Sequence, residues 1–203
     1  MKTITLLSLS FILCVFSVDS ASFDSVLDIT GKNLRAGVDY YVMPAAKRGG
    51  SGGGITAGRT GQNKTCAQGV AQLQTNKYGL PLTFTPVDPK KHVIRLSTDV
   101  NIKFSGHNNC NESNIWKINY NEGVKQYFLI LGGVEGNPGR ETLDNWFKIE
   151  KTEDGYKFVF CPTVCNFCKV LCRDVGIFLD DTGMRRLALT LGDPFSLVFI
   201  AAK

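Results

Sequence analysis

The feature that most constrains the fold is a series of short runs rich in β-branched and aromatic residues, with turn residues between them roughly every 8 to 15 positions. Helical periodicity is almost absent. Runs of this length and spacing predict about a dozen strands, and therefore an all-β barrel or sandwich. The predicted strands cover residues 40–43, 70–73, 82–85, 93–96, 100–104, 115–120, 126–131, 146–150, 156–160, 175–179, 186–189 and 196–200.

A faint internal repeat accompanies these runs. The tripeptides at 116–118 and 147–149 each combine an aromatic residue, a lysine and an isoleucine, and each begins a predicted hairpin. The second strand of each hairpin, at 126–131 and 156–160, is again rich in aromatic residues. A repeated hairpin favours an architecture built from similar units, although the pattern alone leaves the choice between barrel and sandwich open.

The beginning of the chain has the pattern of a secretion signal. A basic residue precedes an apolar run over residues 4–18, which is too short and too close to the start for a membrane anchor. Small residues place the cleavage between positions 17 and 21, so residues 1–20, with Cys14, are the predicted signal peptide. Residues 21–203 are of single-domain size. Since no second apolar stretch is long enough to span a bilayer, we expect no membrane partner.

The charge pattern argues against a nucleic-acid-binding protein. The formal net charge is +5, and the basic residues are scattered, with adjacent pairs at 47–48, 90–91 and 185–186. Proteins that bind nucleic acids usually concentrate lysine and arginine in a patch or stripe. We therefore expect no nucleic-acid partner.

The cysteines indicate a disulfide-stapled domain. Six remain after the signal peptide, and an even number in a secreted chain predicts three disulfides, although spacing alone allows 15 connectivities. The four cysteines within residues 161–172 could instead bind zinc. Zinc sites more often use two separated Cys-x-x-Cys pairs and need reduced thiolates, so we interpret these cysteines as disulfides and predict no metal site.

Two glycosylation sequons occur, at Asn63 and Asn111. Each lies in a polar segment next to a cysteine, Cys66 or Cys110, which predicts that both asparagines lie on surface loops.

The sequence carries little that resembles catalytic machinery. Its two histidines, His92 and His107, lie in polar or basic surroundings, and neither is part of a metalloprotease motif. A Gly-x-Ser-x-Gly pattern occurs only inside the glycine-rich run at 49–54, which has the composition of a flexible loop, and no pair of carboxylates stands out. We therefore interpret the chain as a protein that is not an enzyme and needs no cofactor.

Residues 87–95 have the properties of an exposed binding loop. They lie between two predicted strands, and Pro86 and Pro89 restrict the backbone at their beginning. A protease inhibitor needs such a loop, because it enters the protease cleft as a substrate does and places one side chain, P1, in the specificity pocket. Its affinity comes from preorganisation more than from area. The alternative is an ordinary turn whose lysines face water.

A family resemblance rests on an ordered set of residues near the start of the predicted mature chain: Val26, Asp28, a Gly-Lys turn at 31–32, Leu34, Tyr40 and Val42. This set resembles the N-terminal signature of the plant Kunitz protease inhibitors, the soybean trypsin inhibitor family. The segments LDITGKNLRAG, GNPGRETLDNWFKIE, FCPTVCNFCKVLCRDVGIF and RRLAL are similar to its miraculin-like branch. The likeness extends over essentially the whole predicted mature chain.

The resemblance implies a fold and a covalent framework. The fold is a β-trefoil, an all-β domain of twelve strands with pseudo-threefold symmetry. The implied disulfides are Cys66–Cys110, Cys161–Cys172 and Cys165–Cys168. Dimer-forming members of the branch use a further cysteine after the WFKIE segment, and residues 151–154 contain none, so we expect a monomer.

The resemblance also implies a function in plant defence, as a protein secreted to the apoplast or the vacuole that inhibits a trypsin-, elastase- or subtilisin-like serine protease. The implied reactive loop comprises Lys90, Lys91, His92, Val93, Ile94 and Arg95. If Arg95 is matched to the basic residue that opens the family's next strand, P1 is Val93 and P1′ is Ile94, which favours an elastase-like pocket. A slip of two residues makes Lys91 the P1 residue and favours trypsin, whose pocket is acidic.

One position departs from the family pattern. Strong trypsin inhibitors carry an asparagine in the N-terminal segment that supports the reactive loop from beneath, and the matching residue here is Ala36. This departure and an apolar P1 keep two alternatives open. One is a non-inhibitory binding or storage protein for a carbohydrate or receptor, and the other is a cysteine protease inhibitor that uses another loop.

Overall fold

The computed structural model describes residues 24–45, 52–60, 66, 68–106 and 113–203. Within these residues the chain forms twelve strands and a short 3₁₀ helix, Arg140–Asn145. The strands are β1 Tyr40–Pro44, β2 Ile55–Gly58, β3 Gly69–Gln72, β4 Leu82–Pro86, β5 Val100–Phe104, β6 Lys117–Asn121, β7 Gln126–Ile130, β8 Lys148–Lys151, β9 Tyr156–Phe160, β10 Arg173–Leu179, β11 Arg185–Thr190 and β12 Leu197–Ala201.

Six of the strands form a closed barrel. Strand β1 pairs with β4, β4 with β5, β8 with β9, β9 with β12, and β12 with β1, all antiparallel. A bridge between Val100, the first residue of β5, and Phe147, just before β8, completes the ring. Closure leaves the barrel without a free edge at which another chain could pair.

The other six strands form three hairpins, β2–β3, β6–β7 and β10–β11. One strand of each hairpin pairs with those of the other two, since β3 contacts β7, β7 contacts β11, and β11 contacts β3. Each successive group of four strands therefore gives two strands to the barrel and one hairpin to the cap. This threefold arrangement is a β-trefoil, which confirms the predicted fold and excludes the sandwich.

Aromatic side chains fill the barrel. Trp116 meets Phe158 edge to face, with 5.7 Å between ring centroids, and Phe84 meets Phe199 in the same way at 5.6 Å. All four side chains are fully buried. They come from all three thirds of the chain, and edge-to-face contacts of this kind add to the free energy gained by burial. The core therefore ties the three units together.

All but one of the predicted strands fall on observed strands. The prediction of a strand at 93–96 is wrong, because these residues make only single bridges, from Val93 to Arg35 and from Arg95 to Ser25. Strand β2 was not predicted, since its glycine and alanine have little β-propensity by themselves. Pairing along its whole length with β3 holds it in place.

The cysteine run is oxidised in the structure. Cys161 pairs with Cys172 and Cys165 with Cys168, the pairs that the resemblance implies. Cys66 is also part of a disulfide.

Several sequence predictions concern residues outside the part of the chain that the structure describes. These are the signal peptide 1–20, Cys110, His107 and the glycosylation sites Asn63 and Asn111. In the described part, no helix is long and apolar enough to cross a membrane, and no group of three or more histidine, cysteine, aspartate or glutamate residues could hold a metal ion.

Candidate functional site

The predicted binding loop connects the end of β4 with the start of β5. It leaves the barrel after Pro86 and returns at Val100. Residues 88–92 form an exposed tip, and residues 93–96 form a less exposed return segment. The loop therefore projects at its middle and is embedded where it comes back to the barrel.

Asp88 fixes the conformation of the tip. Its backbone carbonyl accepts a hydrogen bond from the Lys91 N–H at 3.0 Å, which closes a tight turn, and its carboxylate accepts a second bond from the Lys90 N–H, also at 3.0 Å. Pro89 occupies the second position of this turn, where its fixed φ is favourable. The tip is consequently an ordered turn, and the side chains of both lysines are exposed.

The N-terminal segment supports the return segment from beneath. The Ala36 N–H donates to the His92 carbonyl at 2.9 Å. Farther along, the Ile94 N–H donates to the Leu34 carbonyl, and the Ile94 carbonyl accepts from the Val26 N–H, each at 2.9 Å. The return segment is thus hydrogen-bonded to two stretches of the N-terminal segment, through the His92 carbonyl and both backbone groups of Ile94.

The packing of the return segment bears on the choice between the two P1 candidates. Ile94 is 0% exposed and belongs to the hydrophobic core, with Val26 and Leu34 beside it, and Val93 is only partly exposed. A scissile bond must be reachable by the protease, and its P1 side chain must be free to enter a pocket. The burial of Ile94, which anchors the loop to the core, argues against Val93 as P1 with Ile94 as P1′, and both P1 candidates, Val93 and Lys91, stay predictions.

Arg95 and its neighbours complete the base of the loop. Arg95 is partly exposed and bridges Ser25, and its carbonyl accepts a hydrogen bond from the Thr98 hydroxyl at 2.8 Å. The Ser97 N–H donates to the Ile149 carbonyl at 2.9 Å. These bonds fix the chain as it turns from the return segment into β5.

A tight turn shapes the N-terminal support. The Asp28 carboxylate accepts hydrogen bonds from the Thr30 N–H at 2.8 Å, the Thr30 hydroxyl at 2.7 Å and the Lys32 N–H at 3.0 Å. Gly31 adopts a φ of +79°, which favours glycine. Burial acts to raise the pKa of Asp28, but these hydrogen bonds and the charge of Lys32 outweigh it and bring the pKa below its usual value. The aspartate and the Gly-Lys pair of the sequence signature are thus the parts of one turn.

Asp99 joins the loop to a second segment of the chain. Its carbonyl accepts a hydrogen bond from the Val87 N–H at 2.9 Å, at the beginning of the loop. Its carboxylate is 4% exposed and accepts bonds from the Thr163 N–H, at 3.0 and 3.2 Å, and from the Thr163 hydroxyl. Sequence reasoning missed this residue, since nothing in a linear pattern links Asp99 to a threonine 64 positions away.

A charged network stiffens the strands that carry the loop. Glu135 accepts a hydrogen bond from the Thr85 hydroxyl, next to the end of β4, and from Lys103 of β5 at 3.0 Å. Burial acts to raise the pKa of Glu135, but the bonds from Thr85 and Lys103 and the charge of Lys103 outweigh it and lower the pKa. The carboxylate therefore remains ionised and connects both strands.

The exposed end of the loop is cationic. Lys90 and Lys91 lie on the tip, and Arg35 is exposed on the N-terminal segment, where it forms an antiparallel bridge with Val93. Residues opposite each other in such a bridge extend to the same side, so Arg35 lies beside the return segment. The arrangement is a rigid turn with positive side chains, suited to enter a cleft that carries negative charge.

Comparisons with known proteins found similar sequences and structures. A family model described as Kunitz trypsin and protease inhibitor matches residues 26–201. The chain is 51% identical to Kunitz trypsin inhibitor 5 of Arabidopsis thaliana over 84% of this chain and 82% of that protein. It is 43% identical to miraculin of Synsepalum dulcificum over 98% and 97%. Among solved structures, the Kunitz-type cysteine protease inhibitor PCPI-3 from potato superposes with a TM-score of 0.78 at 32% identity, covering 90% of this chain and 99% of that one.

Proposed function

The chain belongs to the Kunitz family of trypsin and protease inhibitors, and we propose that it inhibits a serine protease by inserting the tip of its β4–β5 loop into the active-site cleft. One observation carries this proposal. The loop presents exposed lysines on a turn whose backbone is hydrogen-bonded on both sides, through Asp88 before the tip and Ala36 after it. A loop that is ordered before binding loses little conformational entropy on binding.

Within the tip, we assign P1 to Lys91 and the scissile bond to Lys91–His92. Lys90 is a central residue of the turn that the Asp88 carbonyl closes, whereas Lys91 is its last residue. His92, on the other side of the bond, is held through its carbonyl by the Ala36 N–H. If the protease cleaves the bond, both new ends stay in place, so religation competes with release. A lysine at P1 selects proteases with an acidic specificity pocket, as in trypsin.

The test compares inhibition constants of the oxidised protein against trypsin, chymotrypsin, elastase and subtilisin. We expect the tightest inhibition for trypsin. Lys91→Ala should weaken it by at least 100-fold, an estimate of about 3 kcal/mol for an interface hot spot. Lys90→Ala should weaken it by about tenfold or less. Lys77→Ala serves as the matched control, because Lys77 is an exposed lysine on a different loop.

Two outcomes would contradict the assignment. If Lys91→Ala and Lys77→Ala changed the inhibition constant equally, the loop tip would not be part of the inhibitory site. Strong inhibition of elastase alone would indicate that P1 is an apolar residue. The return segment would then have to leave the core when the protease binds.

A second candidate function is inhibition of a cysteine protease through another loop. The specific support is the similarity to the potato protein, which is described as a cysteine protease inhibitor. Papain inhibition that survives Lys91→Ala would establish this function. The remaining alternative, a binding or storage protein without inhibitory activity, is supported by the similarity to miraculin. Binding to a glycan array together with no effect on any protease would favour it.

We further propose that the active form is a secreted monomer that begins between residues 18 and 22. The support is the apolar run at 4–18 and the lack of cysteine at 151–154. Intact-mass measurement of the protein secreted by plant cells tests the cleavage and the glycans at Asn63 and Asn111. Gel filtration combined with light scattering tests the oligomeric state.

A further inference from the structure

The ring closed by Cys165–Cys168 carries the most exposed aromatic side chain of the described residues, since Phe167 is 76% exposed. We propose that Phe167 is a second contact with the protease that receives Lys91, and that it binds an apolar depression beside the active-site cleft. This inference rests on the proposed function, because it assumes that the loop tip engages a protease.

The ring is a fixed platform. The disulfide Cys165–Cys168 lies inside the larger loop closed by Cys161–Cys172. Cys165 is buried, and Val170 and Leu171, on the far side of the ring, pack against the hydrophobic core. Phe167 is therefore held outward by a short covalent ring on a packed base, and it loses little backbone freedom when a partner binds.

Asp99 connects the bases of the segments that carry the ring and the loop tip. The Asp99 carbonyl holds Val87, and its carboxylate holds Thr163. Lys91 follows Val87 by four positions, and Phe167 follows Thr163 by four. Because an extended chain spans at most 3.6 Å per residue, each tip lies within roughly 14 Å of its anchor. An interface of the standard size, about 800 Å² per partner, has an extent comparable with the sum of these two reaches, about 28 Å.

The chemistry of the ring favours a side-chain contact over a second substrate-like site. Residues 165–168 form a turn that the disulfide closes, and the side chains exposed on it are those of Asn166 and Phe167. An exposed aromatic side chain on a rigid support is the type of residue that dominates interface energetics when a pocket desolvates it. The expected partner surface is thus apolar and lies outside the catalytic cleft.

The experiment measures association and dissociation rate constants for the wild-type protein with the protease that it inhibits most strongly, together with three variants. Phe167→Ala should raise the dissociation rate constant by about tenfold with little change in association. Phe167→Leu, which keeps an apolar side chain, should stay within about threefold of the wild type. Leu191→Ala is the control, because Leu191 is 83% exposed on the β11–β12 connection. It should have no effect on either rate constant.

Melting temperatures separate contact from structure. Because Phe167 is exposed, Phe167→Ala should have the same melting temperature as the wild type. A loss of affinity would then come from the interface. The double variant Cys165→Ser/Cys168→Ser keeps the phenylalanine and opens the ring, and it should also dissociate faster.

Three results would overturn the inference. Equal rate constants for Phe167→Ala and Leu191→Ala, with strong inhibition by the wild type, would refute it and leave the proposed function intact. An effect of Phe167→Ala on papain but not on the serine protease would assign the ring to a different partner. Absence of inhibition by the wild type against every protease in the panel would refute the proposed function and this inference with it.

Discussion

The burial of Ile94 gives the sharpest test of how the loop is built. If Ile94 were P1′, its replacement by alanine would change protease affinity and leave stability nearly unchanged. In the structure the side chain is fully buried against Val26 and Leu34. Ile94→Ala removes about three buried methylene-sized groups at about 0.8 kcal/mol each, and the cavity left behind adds to the loss. We expect the free energy of unfolding to fall by about 2–4 kcal/mol.

Thermal unfolding of the oxidised protein, followed by circular dichroism, measures this loss. For a domain of this size, 1 kcal/mol corresponds to about 2–4 °C, so Ile94→Ala should lower the melting temperature by about 5–15 °C. Val93→Ala, at the partly exposed neighbour, and Lys91→Ala, at the exposed tip, are the matched controls and should melt much closer to the wild type. An Ile94→Ala variant that melts within 1 °C of the wild type but inhibits less would refute the anchoring argument and restore Ile94 to the contact surface.

Three further predictions concern the supports of the loop. Asp99→Ala removes the buried acceptor of the Thr163 bonds, so it should lower the free energy of unfolding by about 2 kcal/mol and weaken inhibition. Asp99→Asn keeps one acceptor and should reduce both the stability and the inhibition by less. The pKa of Asp28 is lowered in the folded state, so its stabilising effect is present above its unfolded pKa and disappears as the pH falls through the folded pKa. Asp28→Asn should therefore lower the melting temperature at pH 7, and the difference from the wild type should shrink as melting is repeated from about pH 4 downwards; a constant difference would contradict the linkage. Ala36→Asn adds a side-chain donor beneath His92 and should lower the inhibition constant by about two- to tenfold if it forms one further hydrogen bond to the loop; unchanged inhibition would show that the backbone bond already suffices.

Local patterns were enough to predict most of the fold. The strands are short and rich in β-branched and aromatic residues, so their positions follow from composition and turn residues. The pattern failed at β2, where Ile55–Gly58 depends on pairing with β3 for its strand conformation. It also failed at residues 93–96, which have strand-like composition but form only isolated bridges, to the irregular N-terminal segment, among the described residues. In both places the outcome depends on a partner that is distant in sequence.

The same limit explains why the sequence left the P1 residue open. From the sequence, Val93 and Ile94 are two adjacent apolar residues after a polar tip, and either could be exposed for recognition. Their difference arises from tertiary structure, because Ile94 alone faces Val26 and Leu34. The ring around Phe167 shows the opposite case, since the sequence indicated the disulfide but gave no reason to expect that its aromatic side chain faces solvent.

The structure gives a physical reason for the N-terminal signature. Val26 and Leu34 hydrogen-bond to each other and to the two backbone groups of Ile94, and the side chains of all three residues are buried in the core. The return segment that follows the loop tip is therefore supported by residues about 60 positions earlier in the chain. Because preorganisation contributes much of an inhibitor's affinity, substitutions of Val26 or Leu34 should raise the dissociation rate of a protease complex even though neither side chain can touch the protease. If Val26 and Leu34 contributed only to the barrel, their substitution would leave the dissociation rate of the protease complex unchanged.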